Sequence, residues 1–340
     1  MIPSLRDWMT LYPFESRWMM RRGGRIHYID EGEGPTLLFV HGPGRWSFHW
    51  RELILAFRGR YRTIAPDHTG CGFSDIPRRP TRTTRNGDSQ QNDGDFVGYR
   101  PADRVAELVE FVRRLKLHQV TLIADQWACA TGLAAAMRIP QRFARFVLIN
   151  PPTVADPNDE FHRWPRPAVA MAAPWILRRM VRRGVGRMGR TRLNRTVLRG
   201  HTAPYSRCWI VPVNGRRRRI LWQELHEWRL AVANPAFCAI LCGLGEENGH
   251  KTEDGNVVEH AAVFTRYPAC RIEPTKKITT TVTETKIMEH IPGGGVADIV
   301  ARLFEGTETH WVDAGPNLVD DAPATLEPIL ESFFERNPAF

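Results

Sequence analysis

Val120-Thr-Leu-Ile-Ala-Asp-Gln-Trp-Ala-Cys129 is the stretch that decides the fold. A β-branched apolar run, suited to a strand covered on both faces, passes into the alanine-rich helix former Ala130 to Met137. Ala124 and Ala128 stand two before and two after position 126, where a sharp strand-to-helix turn crowds the backbone and demands small side chains. This is the outline of a nucleophile elbow with Gln126 at its apex. An attacking group is an ionised carboxylate, a hydroxyl or a thiolate, and a neutral amide oxygen is far poorer. Gln126 therefore keeps the geometry of the turn without its chemistry. Taking Asp125 as the apex would put Ile123 at a small-residue position and aim the carboxylate elsewhere.

Outward from the elbow, strand and helix patterns alternate. Arg25 to Asp30 and Thr36 to Val40 read as an opening pair of strands joined at the turn-rich Glu31-Gly-Glu-Gly-Pro35. Tyr61 to Pro66 is a further short strand, Pro101 to Leu115 has helical spacing at Val105, Leu108, Val109 and Val112, and Phe146 to Asn150 is a buried strand. Residues 77–98 form a polar insert without periodicity. From Pro151 to about Phe264 the pattern changes to helices, arginines and turns. Strand and helix return from about residue 277, and Thr325 to Glu335 closes the chain with a helix. The expected fold is α/β, a mostly parallel doubly wound sheet with an inserted helical cap. Its parts are a core over 1–150, an arginine-rich cap over 151–264 and the remainder of the core over 265–340.

A chain of 340 residues with 42% hydrophobic content is ample for such a domain. Neither a basic start followed by an apolar h-region nor an unbroken apolar run of about 18 residues occurs, so a cytoplasmic protein without a transmembrane segment is expected. The six cysteines are scattered without a CxxC pair and most read as buried free thiols; Cys238 and Cys242 lack a matching pair for a metal site. No cofactor is implied, because the chain shows neither a metal constellation nor a phosphate-binding glycine pattern. The formal charge of +10 gathers between Arg163 and Arg219, in an amphipathic basic run from Trp175 and in Arg216 to Arg219. A solvated helix face is the plain reading, and peripheral contact with an anionic surface the sharper one. No specific nucleic-acid motif accompanies the charge.

Several motifs fall in one order: Leu11-Tyr-Pro-Phe-Glu15, His27-Tyr-Ile-Asp-Glu-Gly32, His41-Gly-Pro-Gly-Arg-Trp-Ser-Phe48, Pro66-Asp-His-Thr-Gly-Cys-Gly-Phe-Ser-Asp75 and Ala203-Pro-Tyr205. In these the chain resembles the haloalkane dehalogenase branch of the α/β-hydrolases, and especially the β-lactone decarboxylases of bacterial long-chain olefin synthesis. The resemblance implies an elbow reading His-Asp-Trp-Gly-Gly, whose Asp attacks carbon. Trp127 fixes the register, so that Asp has become Gln126. It also implies His-Gly-Asn-Pro after the third strand, where the Asn supplies donors. Pro43 stands there and offers neither a side-chain amide nor a backbone N–H. The implied catalytic histidine of an Asp-Ala-Gly-His pattern is Pro316, and the acid that would orient it falls at Met288, with Glu289 one residue away.

Four departures at four chemical roles are more than tuning, since removing members of a comparable triad costs up to about a millionfold in turnover. A lost donor facing the developing charge costs roughly another hundredfold or more. The expectation is a non-catalytic homologue that binds a small apolar or lipid-like ligand, or serves as scaffold to a partner enzyme of a lipid or olefin pathway. The alternative is an active hydrolase or β-lactone decarboxylase with a relocated nucleophile, Asp125 or Cys129. Trp127, Asp125, Cys129 and His41 are the expected pocket-lining residues. His41 also reads as support for its turn, His68 as structural, and His290 beside Glu289 as a surface position.

Overall fold

The computed structural model describes residues 7–21, 24–42, 45–75, 101–126, 128–151, 193–206, 269–274, 307–315 and 317–339. Among these, eight strands make one sheet. They are β1 (Arg17–Arg21), β2 (Gly24–Glu31), β3 (Thr36–Val40), β4 (Arg62–Pro66), β5 (Val120–Asp125), β6 (Phe143–Ile149), β7 (Ala269–Pro274) and β8 (Glu308–Val312), in the spatial order β1-β2-β4-β3-β5-β6-β7-β8. β2 runs antiparallel to both neighbours, and every pairing from β4 through to β8 is parallel.

Parallel strands need covering on both faces, and the central ones show it. Leu37, Leu38, Phe39 and Val40 are all fully buried, as are Leu122, Ile123 and Ala124. On one face α2 (Pro101–Arg114) and α3 (Ala128–Arg138) pack Val105, Leu108, Phe111 and Leu133 against Leu38, Val40, Leu122 and Ala124. Gly132 lets α3 lie close, since a Cβ there would meet Leu122 Cδ2 at 2.7 Å. On the other face α1 (Arg51–Phe57), the short α5 (Leu318–Asp321) and α6 (Pro323–Arg336) bring Ile54, Phe57, Leu330 and Phe333 against Leu37, Phe39, Ile123 and Val147. Each such side chain contributes about 1.5–3 kcal/mol relative to exposure.

The region read as a cap supplies α4 (Arg195–Ser206), which holds Ala203 and an internal Pro204. It docks on the N-terminal 3-10 turn Asp7–Leu11 and on the 3-10 turn Ser47–Trp50. Arg199 Nη1 meets Asp7 Oδ2 at 2.6 Å, and Trp46 Nε1–H donates to the Gly200 carbonyl at 3.2 Å. Gly200 is required for this approach, because a Cβ would fall 2.0 Å from Phe48 Cζ. The rest of the arginine-rich segment and the insert 77–98 lie outside the described residues.

Two expectations about strands need correction. β2 and β3 are not a pair: β4 lies between them, antiparallel to β2 and parallel to β3. The Glu31 to Pro35 turn is real, with Gly32 and Gly34 at positive φ, but it carries the chain past one strand position rather than into a hairpin. The sheet's second part also starts earlier than residue 277, because β7 pairs beside β6 from Ala269 onward.

Candidate functional site

Gln126 has φ 51°, the left-handed region that side chains other than glycine rarely enter. Its backbone N–H donates to Ile149 O at 2.9 Å, and its carbonyl accepts from Cys129 N–H at 3.0 Å. The strained apex of the elbow is thus held by hydrogen bonds to β6 and to the start of α3. Gly42, at the end of the neighbouring strand, passes close by: a Cβ there would meet Asp125 O at 3.6 Å.

Pleating puts Asp125 on the same sheet face as Ile123, the face covered by α1 and α6. Its carboxylate enters a buried polar cluster at the C-terminal edge of the parallel strands. His49 Nε2–H donates to Asp125 Oδ2 at 2.8 Å, and Arg45 Nη1 reaches the same oxygen at 3.0 Å. Arg45 Nη1 also donates to Asn317 Oδ1 at 2.8 Å and lies against both ring nitrogens of His49. The second centre of the cluster is Asp320. Arg51 Nη1 donates to its Oδ1 at 2.8 Å, Asn317 Nδ2 to its Oδ2 at 2.9 Å, and His201 Nε2 stands 3.0 Å from Oδ2. His49 Nδ1 faces that same oxygen at 3.5 Å.

Three separate pieces of chain therefore meet: the segment after β3, the end of β5 and the loop after β8. α4 adds His201. Burial alone would raise the Asp320 carboxyl, but His201 and then His49 outweigh it and hold it well below the usual carboxylate range. Burial pushes His201 below its ordinary value despite Asp320, so a neutral imidazole donates Nε2–H to a carboxylate. Arg45 Nη2, Asp125 Oδ1 and His201 Nδ1 are fully shielded and have no hydrogen-bond partner among the described residues. An unsatisfied buried polar atom costs about 1–3 kcal/mol; these three stand out together with Arg51 Nε, which also lacks a hydrogen-bond partner among the described residues but lies 3.3 Å from Glu52 Oε1.

Cys129 Sγ, fully buried, points back to Ala124 O at 3.4 Å and Ile149 O at 3.9 Å. His41 Nδ1–H donates to Gly42 O at 2.8 Å while Nε2 accepts from the His68 N–H at 3.0 Å. Burial first, and His68 beside it second, push His41 down to about 3, so it ties β3 to the segment after β4 as a neutral ring. His68 Nδ1 in turn meets Glu107 Oε1 at 2.8 Å. Burial would raise Glu107, but the His68 hydrogen bond and Arg104 bring it to about 2. No group of three or more His, Cys, Asp or Glu among the described residues is disposed to hold a metal ion, and no helix of theirs is long and apolar enough to cross a membrane.

Of the positions singled out in the sequence, Asp125, Gln126, Cys129 and His41 fall in the described residues. Pro43, Trp127, Met288 and Pro316 lie outside them, with Glu289 and His290. Arg45, His49, Asn317, Asp320 and His201 were not anticipated. The available signal was His49 within an aromatic run and Arg45 just after a strand, neither of which announces a partner.

The order of strands, the antiparallel β2 and the elbow at the end of β5 are together those of an α/β-hydrolase fold. A family pattern described as alpha/beta hydrolase fold matches residues 35–198. The chain has an α/β-hydrolase fold. Homologues of the chain include a cis-3-alkyl-4-alkyloxetan-2-one decarboxylase of Shewanella oneidensis, 33% identical over 142 residues, 42% of this chain and 40% of that one. Haloalkane dehalogenase 2 of Mycobacterium bovis is 36% identical over 140 residues, 41% of this chain and 43% of that one. A haloalkane dehalogenase of Mycobacterium marinum is 33% identical over 146 residues, 41% of this chain and 44% of that one. The chain thus spans about two fifths of the length of the curated relatives it matches. The haloalkane dehalogenase-like branch expected from the motifs is the one these homologues represent.

Proposed function

We propose that this α/β-hydrolase is a ligand-binding protein that does not carry out the reaction of its relatives. The observation that carries the reading is Gln126 itself: an elbow apex kept at φ 51° around a side chain with no nucleophilic atom. The left-handed backbone of the elbow, of order 1–3 kcal/mol in cost, is kept although the side chain it presents is a poor nucleophile. Pro43, Pro316 and Met288 remove, on this reading, the donor, the proton acceptor and the orienting acid.

The rival, an active hydrolase or decarboxylase with a relocated nucleophile, meets two obstacles. Cys129 holds its thiol against strand carbonyls beneath the helix rather than toward the elbow mouth. Asp125 has one oxygen held by both His49 and Arg45, which lowers its nucleophilicity. Its free Oδ1 is the observation that favours the rival.

The names of the relatives point to alkyl-substituted oxetanones and haloalkanes, so the ligand proposed here is a small molecule with an apolar chain. Covalent trapping tests the reading. Incubation with stoichiometric 1-bromooctane followed by intact-mass measurement is expected to show no alkyl adduct, and an adduct mapped to Asp125 or Cys129 would sink it.

A further inference from the structure

We infer that Arg45 and Asp125 form the polar end of the ligand site and select a neutral hydroxyl headgroup. This rests on the binding function proposed above and gives it a ligand class. Both side chains lie at the C-terminal edge of the parallel strands, where sheets of this kind bind their ligands, one in the segment that follows β3 and the other at the last residue of β5. Both are more than nine-tenths buried.

Their pairing is incomplete in a specific way. Arg45 Nη1 takes Asp125 Oδ2 and Asn317 Oδ1, yet Nη2 and Oδ1, the two atoms that a bidentate pair would have joined, are each left without a partner among the described residues. One is a donor that cannot be deprotonated, the other an acceptor. A group that satisfies both must accept one hydrogen bond and donate another, and among uncharged groups that can end an alkyl chain a hydroxyl is the smallest that does so. A carboxylate or halide would satisfy Nη2 but bring a second negative charge against Asp125. An ether, ester or lactone oxygen would accept from Nη2 and leave Oδ1 bare. The charges of Arg45 and Asp125 cancel each other, so no net field draws an ion. An alkyl alcohol combines this headgroup with the apolar chain that the relatives' names imply.

Three eight-carbon probes separate the cases by isothermal titration on the full chain: 1-octanol, octyl methyl ether and octanoate. The expected result is octanol binding at least about tenfold more tightly than either of the others, the difference made by a hydrogen bond to a charged group. In Asp125→Asn the loss of the negative charge is expected to erase the discrimination against octanoate. Arg45→Met, checked for a retained thermal transition, is expected to bind octanol no better than the ether. Ether binding equal to octanol, or octanoate binding tightest in wild type, would overturn the headgroup assignment while leaving an apolar-ligand site standing. Failure of all three probes to bind would overturn the assignment and the binding function together.

Discussion

His49 Nε2 lies 2.8 Å from Asp125 Oδ2, joining the 3-10 turn after β3 to the last residue of the elbow strand. Both side chains are almost wholly buried, so the hydrogen bond is one that water cannot replace. His49→Leu keeps the volume but removes the donor, leaving Asp125 to Arg45 alone. The expected loss is about 2–4 kcal/mol in urea unfolding, the range for breaking a buried charged interaction. A change below about 0.5 kcal/mol, the usual size at an uninvolved surface site, would show that the contact contributes nothing.

The elbow was legible because its signals are local: β-branched residues, small residues at 124 and 128, and an alanine-rich helix all lie within one short stretch. The network around Asp125 was not, because its partners sit 76 and 80 residues before it, and Asn317 is 272 residues from Arg45. Pairings at such separations leave no periodic trace. β1 was missed for a different reason. Its sequence Arg17-Trp-Met-Met-Arg21 buries only Met19, so an edge strand shows no clean alternation. The pairing of β2 with β4 instead of β3 was hidden because a turn-rich link looks the same whether or not another strand enters between its ends.

Gly72 gives a test of the segment after β4. It has φ 49°, and a Cβ there would lie 2.0 Å from Asp67 Oδ2, the oxygen that accepts from His27 Nδ1 and the Phe73 N–H. Gly72→Ala is expected to cost more than about 2 kcal/mol, since it adds backbone strain to a displaced buried carboxylate. Equilibrium urea unfolding measures it; a neutral effect would mean that Asp67 does not need its present position.

Docking of α4 depends on Gly200. A methyl group would overlap Phe48, so Gly200→Ala is expected to lift the helix from the 3-10 turn and weaken the His201–Asp320 contact. Amide exchange over residues 195–206 should rise at least about tenfold while β3 and β5 stay protected, the pattern of a local opening. Unchanged exchange over α4 would contradict this docking geometry.

Stability should fall monotonically with acid. His41 is held to about 3 and His201 is also lowered, so the unfolded chain takes up protons first; their contribution is full above about pH 6.5 and is lost below it. Glu107 at about 2, with Asp67 and Asp320 also depressed, adds a second loss as pH drops below the ordinary carboxylate values near 4. The shift at His41 alone corresponds to something on the order of 4–5 kcal/mol between neutral and strongly acid conditions. The urea midpoint measured from pH 8 to pH 3 should decline from about 6.5 downward, and His41→Gln should flatten the upper limb. A midpoint constant down to pH 5 would contradict the neutral, buried state of His41.

The central claim is that the elbow at Gln126 has lost its reaction while keeping its shape. Its most direct test is turnover by the purified chain on a long-chain cis-3-alkyl-4-alkyloxetan-2-one and on a 1-haloalkane, with Gln126→Ala, Asp125→Ala and Cys129→Ala assayed alongside. No product above buffer from any of the four is the predicted result. Wild-type turnover that survives Gln126→Ala and disappears in Asp125→Ala or Cys129→Ala would contradict the account and identify a relocated catalytic centre.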